Sequence, residues 1–222
     1  MIQTYGVKVN SPAGKVGAWT YLVSRDYVLT PPKPVINGEP AYEDRHLYMP
    51  KQGILDDAHL CLEAYASVFR SAFGFTYGHI TIYHLGTKAQ EGTDWKVSFA
   101  DPGAAQMKHL RALMESKQLL DRLPDNSLVT LRQGPDVTED NDIVATRDRA
   151  KGWAFIYTSQ GYGFTADLGR LQGPKVLARC FDPRMGQYRA IGTFDAPGQH
   201  DFDPPGKPGR GNDWVLVLEV VP

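Results

Sequence analysis

Residues 33–44 read KPVINGEPAYED. Lys33 to Asn37 carry a short apolar strand pattern, and Glu39, Glu43 and Asp44 follow within seven residues of its end. A strand that delivers three carboxylates has two readings. The acids form a solvated turn, or they form the acidic rim of a site at the carboxyl end of a parallel strand, where α/β folds collect their chemistry. A Glu–Pro pair after a strand is by itself an ordinary loop feature, so the flanking sequence has to decide.

On both sides, strand patterns alternate with helix patterns. MIQTYG (1–6) reads as a short strand, and GAWTYLVSRDYVL (17–29) as a helix stopped by Pro31 and Pro32. DDAHLCLEAYASVFRSAFG (56–74) repeats apolar residues at Leu60, Ala64, Val68 and Ala72, one face of a helix, with Gly74 as its terminator. FTYGHITIYHL (75–85) reads as an apolar, aromatic strand. DPGAAQMKHLRALMESKQLLDRL (101–123) reads as a helix with Asp101 as cap and Pro102 in its first position. Its expected inner stripe is Met107, Leu110 and Met114, with Ala105 and Leu113. This alternation predicts a right-handed parallel α/β arrangement over residues 1–123.

After LPDNSL (123–128) the rhythm changes. DIVATRD, GWAFIYTS, YGFTADL, KVLARCFDP, QYRAIGTFDA, HDFDPP and DWVLVLEVV are short β-rich runs separated by turn signals such as DPRMG and PGKPGRGND. They predict an antiparallel β-sandwich over 127–222, with the boundary near Pro124 to Ser127. The first half supplies only three strand–helix units, whereas a closed barrel takes about eight. An open sheet of three parallel strands leaves bare edges, so the expectation is a truncated barrel. The fold class is therefore α/β plus all-β, a partial (β/α)8 barrel followed by a sandwich.

Composition narrows function by exclusion. A net charge of -1 over 222 residues offers no basic footprint for nucleic acid. No apolar run reaches the ~20 residues of a membrane span, and the N-terminus lacks a charged start followed by an apolar stretch. Cys61 and Cys180 stand far apart in helical and strand patterns and read as buried free thiols. Neither they nor Asp195, His200, Asp201 and Asp203, whose turn-rich setting reads as surface loop, form a metal site; no metal or cofactor is expected.

KPVINGEPAYED, AFGFTYGH, and DPGAAQMKHLRALMES followed by RLPD resemble the last part of the barrel of apiosidase-like glycoside hydrolases, glycoside hydrolase family 140 and its relatives. DIVATRD through CFDPRMGQYRAIGTF to GNDWVLVLEV resembles the β-sandwich called the putative collagen-binding domain of a collagenase. The resemblance implies the last three strand–helix units of the barrel, and a carbohydrate substrate drawn from plant cell-wall or related side chains. It implies that Glu39 is the catalytic nucleophile, and that Gln3, Tyr42, Tyr77 and His79 face the sugar. Glu43 and Asp44 are read as structural or solvated. Two departures stand out: the family's QSGH is here QTYG, and its Asn-Ser and Trp-Gln after TYGH are here Ile80, Thr81, Tyr83 and His84. The family's general acid lies upstream of this chain, which implies a polypeptide inactive alone. Members are typically exported.

Two other function classes remain open. In one, the sandwich binds carbohydrate or collagen and the barrel portion is a scaffold. A collagen groove wants exposed aromatics, whereas Trp153 and Trp214 sit in strands whose alternation implies burial. In the other, the chain is a gene fragment without a stable fold of its own.

Overall fold

A computed structural model describes residues 1–12, 14–45, 55–85, 95–136, 138 and 141–222. The chain is mixed α/β, with substantial sheets, few helices and no closed barrel among the described residues. It divides into two compact units: Met1–Val68 with Ala72–Leu110, and Phe69–Ser71 with Arg111–Pro222.

The first unit runs β1 (Ile2–Gln3), β2 (Lys8–Ser11), β3 (Gly14–Gly17), α1 (Ala18–Tyr27), β4 (Ile36–Glu39), α2 (Asp57–Phe69), β5 (Gly74–Phe75), α3 (Ile80–Tyr83) and the start of α4 (Pro102–Glu115). Strands β1, β4 and β5 form a parallel sheet with β4 in the middle. The register puts Gln3 opposite Glu39, and Asn37 opposite Ile2 on one side and Phe75 on the other. The hairpin β2–β3 lies between the strand expected over 1–6 and the helix expected over 17–29.

Helix α2 is buried from His59 through Arg70, so its whole circumference is covered and not the single face that the four-residue spacing predicts. Gly74 is not its terminator. Ser71 takes that role at φ 78°, and the Ala72 amide donates to the Ser67 carbonyl at 3.0 Å, the six-to-one bond that closes a helix. Gly74 opens β5 instead.

The strand expected over 75–85 is mostly not one. Pairing stops at Phe75, apart from a single parallel bridge between Glu43 and His79. Nδ1 of His79 accepts from the Thr81 amide at 3.1 Å and caps the short helix α3. A local cap thus overrides the strand preference of Ile80 and Ile82, and short apolar runs are ambiguous between the two periods.

Helix α4 ends at Glu115, and its buried face is Gly103, Gln106, Leu110, Leu113 and Met114, with Ala105 exposed and Met107 half-buried. The stripe is offset because a polar residue has buried partners. Gln106 Nε2 donates to Asp57 at 2.8 Å, and its Oε1 accepts from Cys61 at 2.8 Å. A hydrophobic pattern cannot register a satisfied amide.

The second unit contains β6 (Arg122–Pro124), β7 (Val129–Arg132), β8 (Ile143–Asp148), β9 (Trp153–Thr158), β10 (Phe164–Asp167), β11 (Lys175–Asp182), β12 (Gln187–Asp195), β13 (Gln199–Phe202) and β14 (Trp214–Val221). They form antiparallel sheets in the orders β12-β11-β14-β9-β8-β6 and β13-β10-β7. One core joins them: Ile156, Val176 and Leu218 from the larger sheet meet Phe164, Ala166 and Phe202 from the smaller. Each of these side chains larger than alanine contributes about 1.5–3 kcal/mol by leaving water. All of β9 is buried, because its other face carries Phe155 and Tyr157 against the ring of Phe69. Trp153 and Trp214 are buried, as the alternation implied. His200 and Asp201 lie on β13 and Asp195 ends β12, so they are strand residues and not loop; Asp201 accepts from the Thr165 hydroxyl. Among the described residues no cluster of His, Cys, Asp or Glu is gathered for a metal, and no helix is long and apolar enough to cross a membrane.

A candidate carboxylate site at the end of the parallel sheet

The site grows from the register of β1 against β4. Glu39 is the last residue of β4, and its carbonyl accepts from the Thr4 amide at 2.8 Å, which brings the end of β1 alongside. Gln3 Nε2 then donates to Glu39 Oε2 at 2.6 Å. From the other side, the Tyr42 hydroxyl donates to Glu39 Oε1 at 2.8 Å. Each carboxylate oxygen therefore has one neutral donor and a free lone pair. Gly78 lets the Tyr42 ring lie flush against the backbone, since a Cβ there would overlap it.

Burial, the hydrogen bond to Glu39 and the Glu39 charge together push the Tyr42 phenol up to about 12. It stays a donor across any ordinary pH. Glu39 and Tyr42 line a concavity of about 540 Å³ with Tyr77, His79, Tyr83 and Phe99. Glu39 is the only carboxylate among the described residues that line it.

Tyr77 and His79 present themselves differently from Tyr42. The Tyr77 hydroxyl donates to Glu43 at 2.6 Å, and burial, followed by that hydrogen bond, raises its pKa. His79 is buried, and its Nε2 sits 2.9 Å from Asp101, at ion-pair distance without hydrogen-bond alignment. Both rings line the concavity while their polar atoms face Glu43, the Thr81 amide and Asp101. Glu43 is buried too and accepts from the Gly103 amide at 3.0 Å; Gly103 has no room for a Cβ beside it. Burial raises the Glu43 pKa, against the lowering effect of these two donors. It holds the wall of the concavity and was legible only as an acid near the strand end.

Beside the site, the sequence does not announce the buried acid Glu63. Glu63 on α2 is fully buried and accepts from the Thr4 hydroxyl at 3.2 Å and the Ala41 amide at 3.1 Å, with His59 Nε2 at 3.0 Å. Thr4 in turn accepts from Asn37 Nδ2 at 3.1 Å, and Asn37 reaches Ser67. This network ties α2 to the segments on either side of Glu39 and Gln3. Its signal was a lone Glu in an apolar helical run, which must be paired if buried.

A carboxylate held by neutral donors at the carboxyl end of a parallel strand, open to a concavity, is the kind of site on which α/β enzymes build their chemistry. The family model described as "Apiosidase-like, catalytic domain" matches residues 1–121, and the chain belongs to that family. The model described as "Putative collagen-binding domain of a collagenase" matches residues 123–219. Among solved structures, one titled "Glycoside hydrolase" is similar with a TM-score of 0.82 at 29% identity, covering 99% of this chain and 51% of its own. A glycoside hydrolase family 5 protein from Bacteroides vulgatus ATCC 8482 gives a TM-score of 0.81 at 29% identity, with 99% and 48% covered. The chain thus spans about half the length of these structures. Comparison with curated proteins gives no match.

Proposed function

We propose that this chain is the C-terminal part of a retaining glycoside hydrolase, with Glu39 as its nucleophile. Residues 1–123 supply the last three strand–helix units of a (β/α)8 barrel, and residues 127–222 a β-sandwich. The substrate is a plant cell-wall or related polysaccharide side chain. The observation that carries this reading is the carboxylate of Glu39, fixed by Gln3 and Tyr42 at a strand end and facing a concavity. Family membership supports the same chemistry.

In such a reaction the carboxylate attacks the anomeric carbon while a second carboxyl group, about 5–5.5 Å away, protonates the leaving oxygen. Gln3 and Tyr42 orient Glu39 for that attack, one donor to each oxygen. Tyr77 and His79 form the wall against which the sugar lies, anchored through Glu43 and Asp101. With Glu39 the single carboxylate among the described lining residues, the proton donor must come from elsewhere. Its lack forfeits on the order of 10²–10⁴ in rate, and incomplete positioning adds to the loss.

The 222-residue polypeptide is therefore expected not to turn over a phenyl glycoside, whose departing oxygen needs protonation, above background. Release of the aryl alcohol by the purified chain, abolished in Glu39→Gln, would contradict the inactivity and keep the nucleophile. Release that survives in Glu39→Gln would remove both.

A further inference from the structure

We propose that Glu63 is a positioning residue for Glu39, acting through the two segments whose side chains hold the nucleophile. This role rests on the reading of Glu39 given above and deepens it. A carboxylate buried on a helix is kept most simply for cohesion between the helix and its neighbours. Two features assign Glu63 more than that.

The first is that a single oxygen joins both segments. Oε2 of Glu63 accepts from the Ala41 amide at 3.1 Å and from the Thr4 hydroxyl at 3.2 Å. Thr4 is the neighbour of Gln3, and Ala41 is the neighbour of Tyr42. Gln3 and Tyr42 in turn donate to the two oxygens of Glu39. One atom on α2 therefore ties together the backbones that carry both donors. Pro40 has no amide proton, so Ala41 offers the first backbone donor beyond Glu39, and Glu63 receives it.

The second feature is that the clamp is itself held. Oε1 of Glu63 lies 3.0 Å from His59 Nε2, and the His59 ring meets Trp19 edge-on at 5.3 Å. Gly6, at φ 68°, lets the turn after β1 pass closely over the same point. A Cβ there would stand 3.0 Å from the Ala41 Cβ and 3.4 Å from Glu63 Oε1. An enclosed carboxylate resists any drift of the segments bonded to it. That matters for a nucleophile, because misplacement by about 1 Å costs on the order of 10²-fold in rate. Glu63→Gln keeps one oxygen for Ala41 and Thr4 and turns its amide toward His59, whose ring nitrogen can accept. The conservative variant should therefore keep the clamp.

The test reads Tyr42 and Glu39 in the whole chain. Carbon NMR of ring-labelled tyrosine follows the Tyr42 titration, and mass analysis follows the rate at which dinitrophenyl fluoroglycosides label Glu39. In Glu63→Ala the Tyr42 titration should begin at lower pH than in the parent, because its hydroxyl leaves Glu39. Labelling should slow between about tenfold and a hundredfold, while Glu63→Gln stays within about twofold of the parent in rate. Leu62→Ala opens a cavity on the same helix without removing an acceptor, and it should leave the Tyr42 onset unchanged. If Glu63→Ala does not fold, Glu63→Met, which keeps the length and loses both oxygens, carries the same expectations. Parent-like onset and labelling in the Ala or Met variant, or an equal fall in Leu62→Ala, would remove the positioning role while Glu39 stands as nucleophile. A parent chain that takes no label would overturn the nucleophile and this role with it.

Discussion

Tyr42 reports on Glu39, to which its hydroxyl donates. The phenol is held near 12 by burial first, and then by the hydrogen bond and charge of Glu39. Replacing Glu39 with Gln removes the charge and leaves the burial. The Tyr42 titration in Glu39→Gln should begin at lower pH than in the parent, without falling all the way to an ordinary tyrosine. Carbon NMR of ring-labelled tyrosine reads this directly; an unchanged onset would mean that the two groups do not touch. Gly78→Ala should act in the same direction by a different route, since the new methyl displaces the Tyr42 ring from its seat. Overpacking of this kind costs about 1–3 kcal/mol, which a denaturant midpoint would register.

At the scale of elements, the site is held by how α2 meets the strand ends. Thr4 follows β1, Ala41 follows β4, and both donate to Glu63. Glu63→Ala leaves the Ala41 amide and His59 without this partner, while the Thr4 hydroxyl keeps Asn37 Oδ1 at 3.2 Å, at a cost of about 3 kcal/mol, since each buried donor left alone costs about 1–3. Glu63→Gln keeps one carbonyl oxygen and should cost less than half as much. Chemical unfolding of the two variants checks the order; equal losses would mean that packing and not acceptance governs the position. This element also shows what a sequence hides. The run LCLEAYASVF announces a helix, yet its complete burial depends on neighbours far along the chain. The helix α3 was hidden for the opposite reason: one histidine ring nitrogen, capping a turn, outweighs a stretch that looks like a strand.

At the scale of the whole molecule, the strands β8 to β14 were legible because alternation and turn residues are local signals. Strands β6 and β7 were not, lying in RLPDNSLVTLR where Pro124 and the Asp125 cap mask short pairings at sheet edges. The place of Glu39 at a strand end was legible from the contiguous residues around it, but its pairing with Gln3 needed the β1–β4 register, which no local pattern encodes. Nor could the sequence announce Asp213. Burial pushes its carboxyl up from 3.8 to about 7, opposed by Arg184 and by the Tyr157 hydroxyl at 3.2 Å. The folded chain therefore holds that proton more tightly than the unfolded one. Stability linked to Asp213 is fully present below pH ~4 and is lost as pH rises through about 7. Asp213→Asn should flatten that slope. Urea midpoints across this range test it, and a slope unchanged in the variant would assign the dependence elsewhere.

The central claim, that Glu39 bonds to a sugar carbon, can be tested with a substrate that needs no proton donor. Dinitrophenyl fluoroglycosides, with fluorine on the second sugar carbon, carry a leaving group that needs no protonation and form glycosyl–enzyme adducts that break down slowly. Intact-mass analysis of the chain, incubated with a panel of such sugars and then digested, should show one fluorosugar on the peptide containing residues 33–44, attached at Glu39 and absent from Glu39→Gln. A label on another residue, equal labelling of Glu39→Gln, or no label from any sugar in the panel would contradict the account.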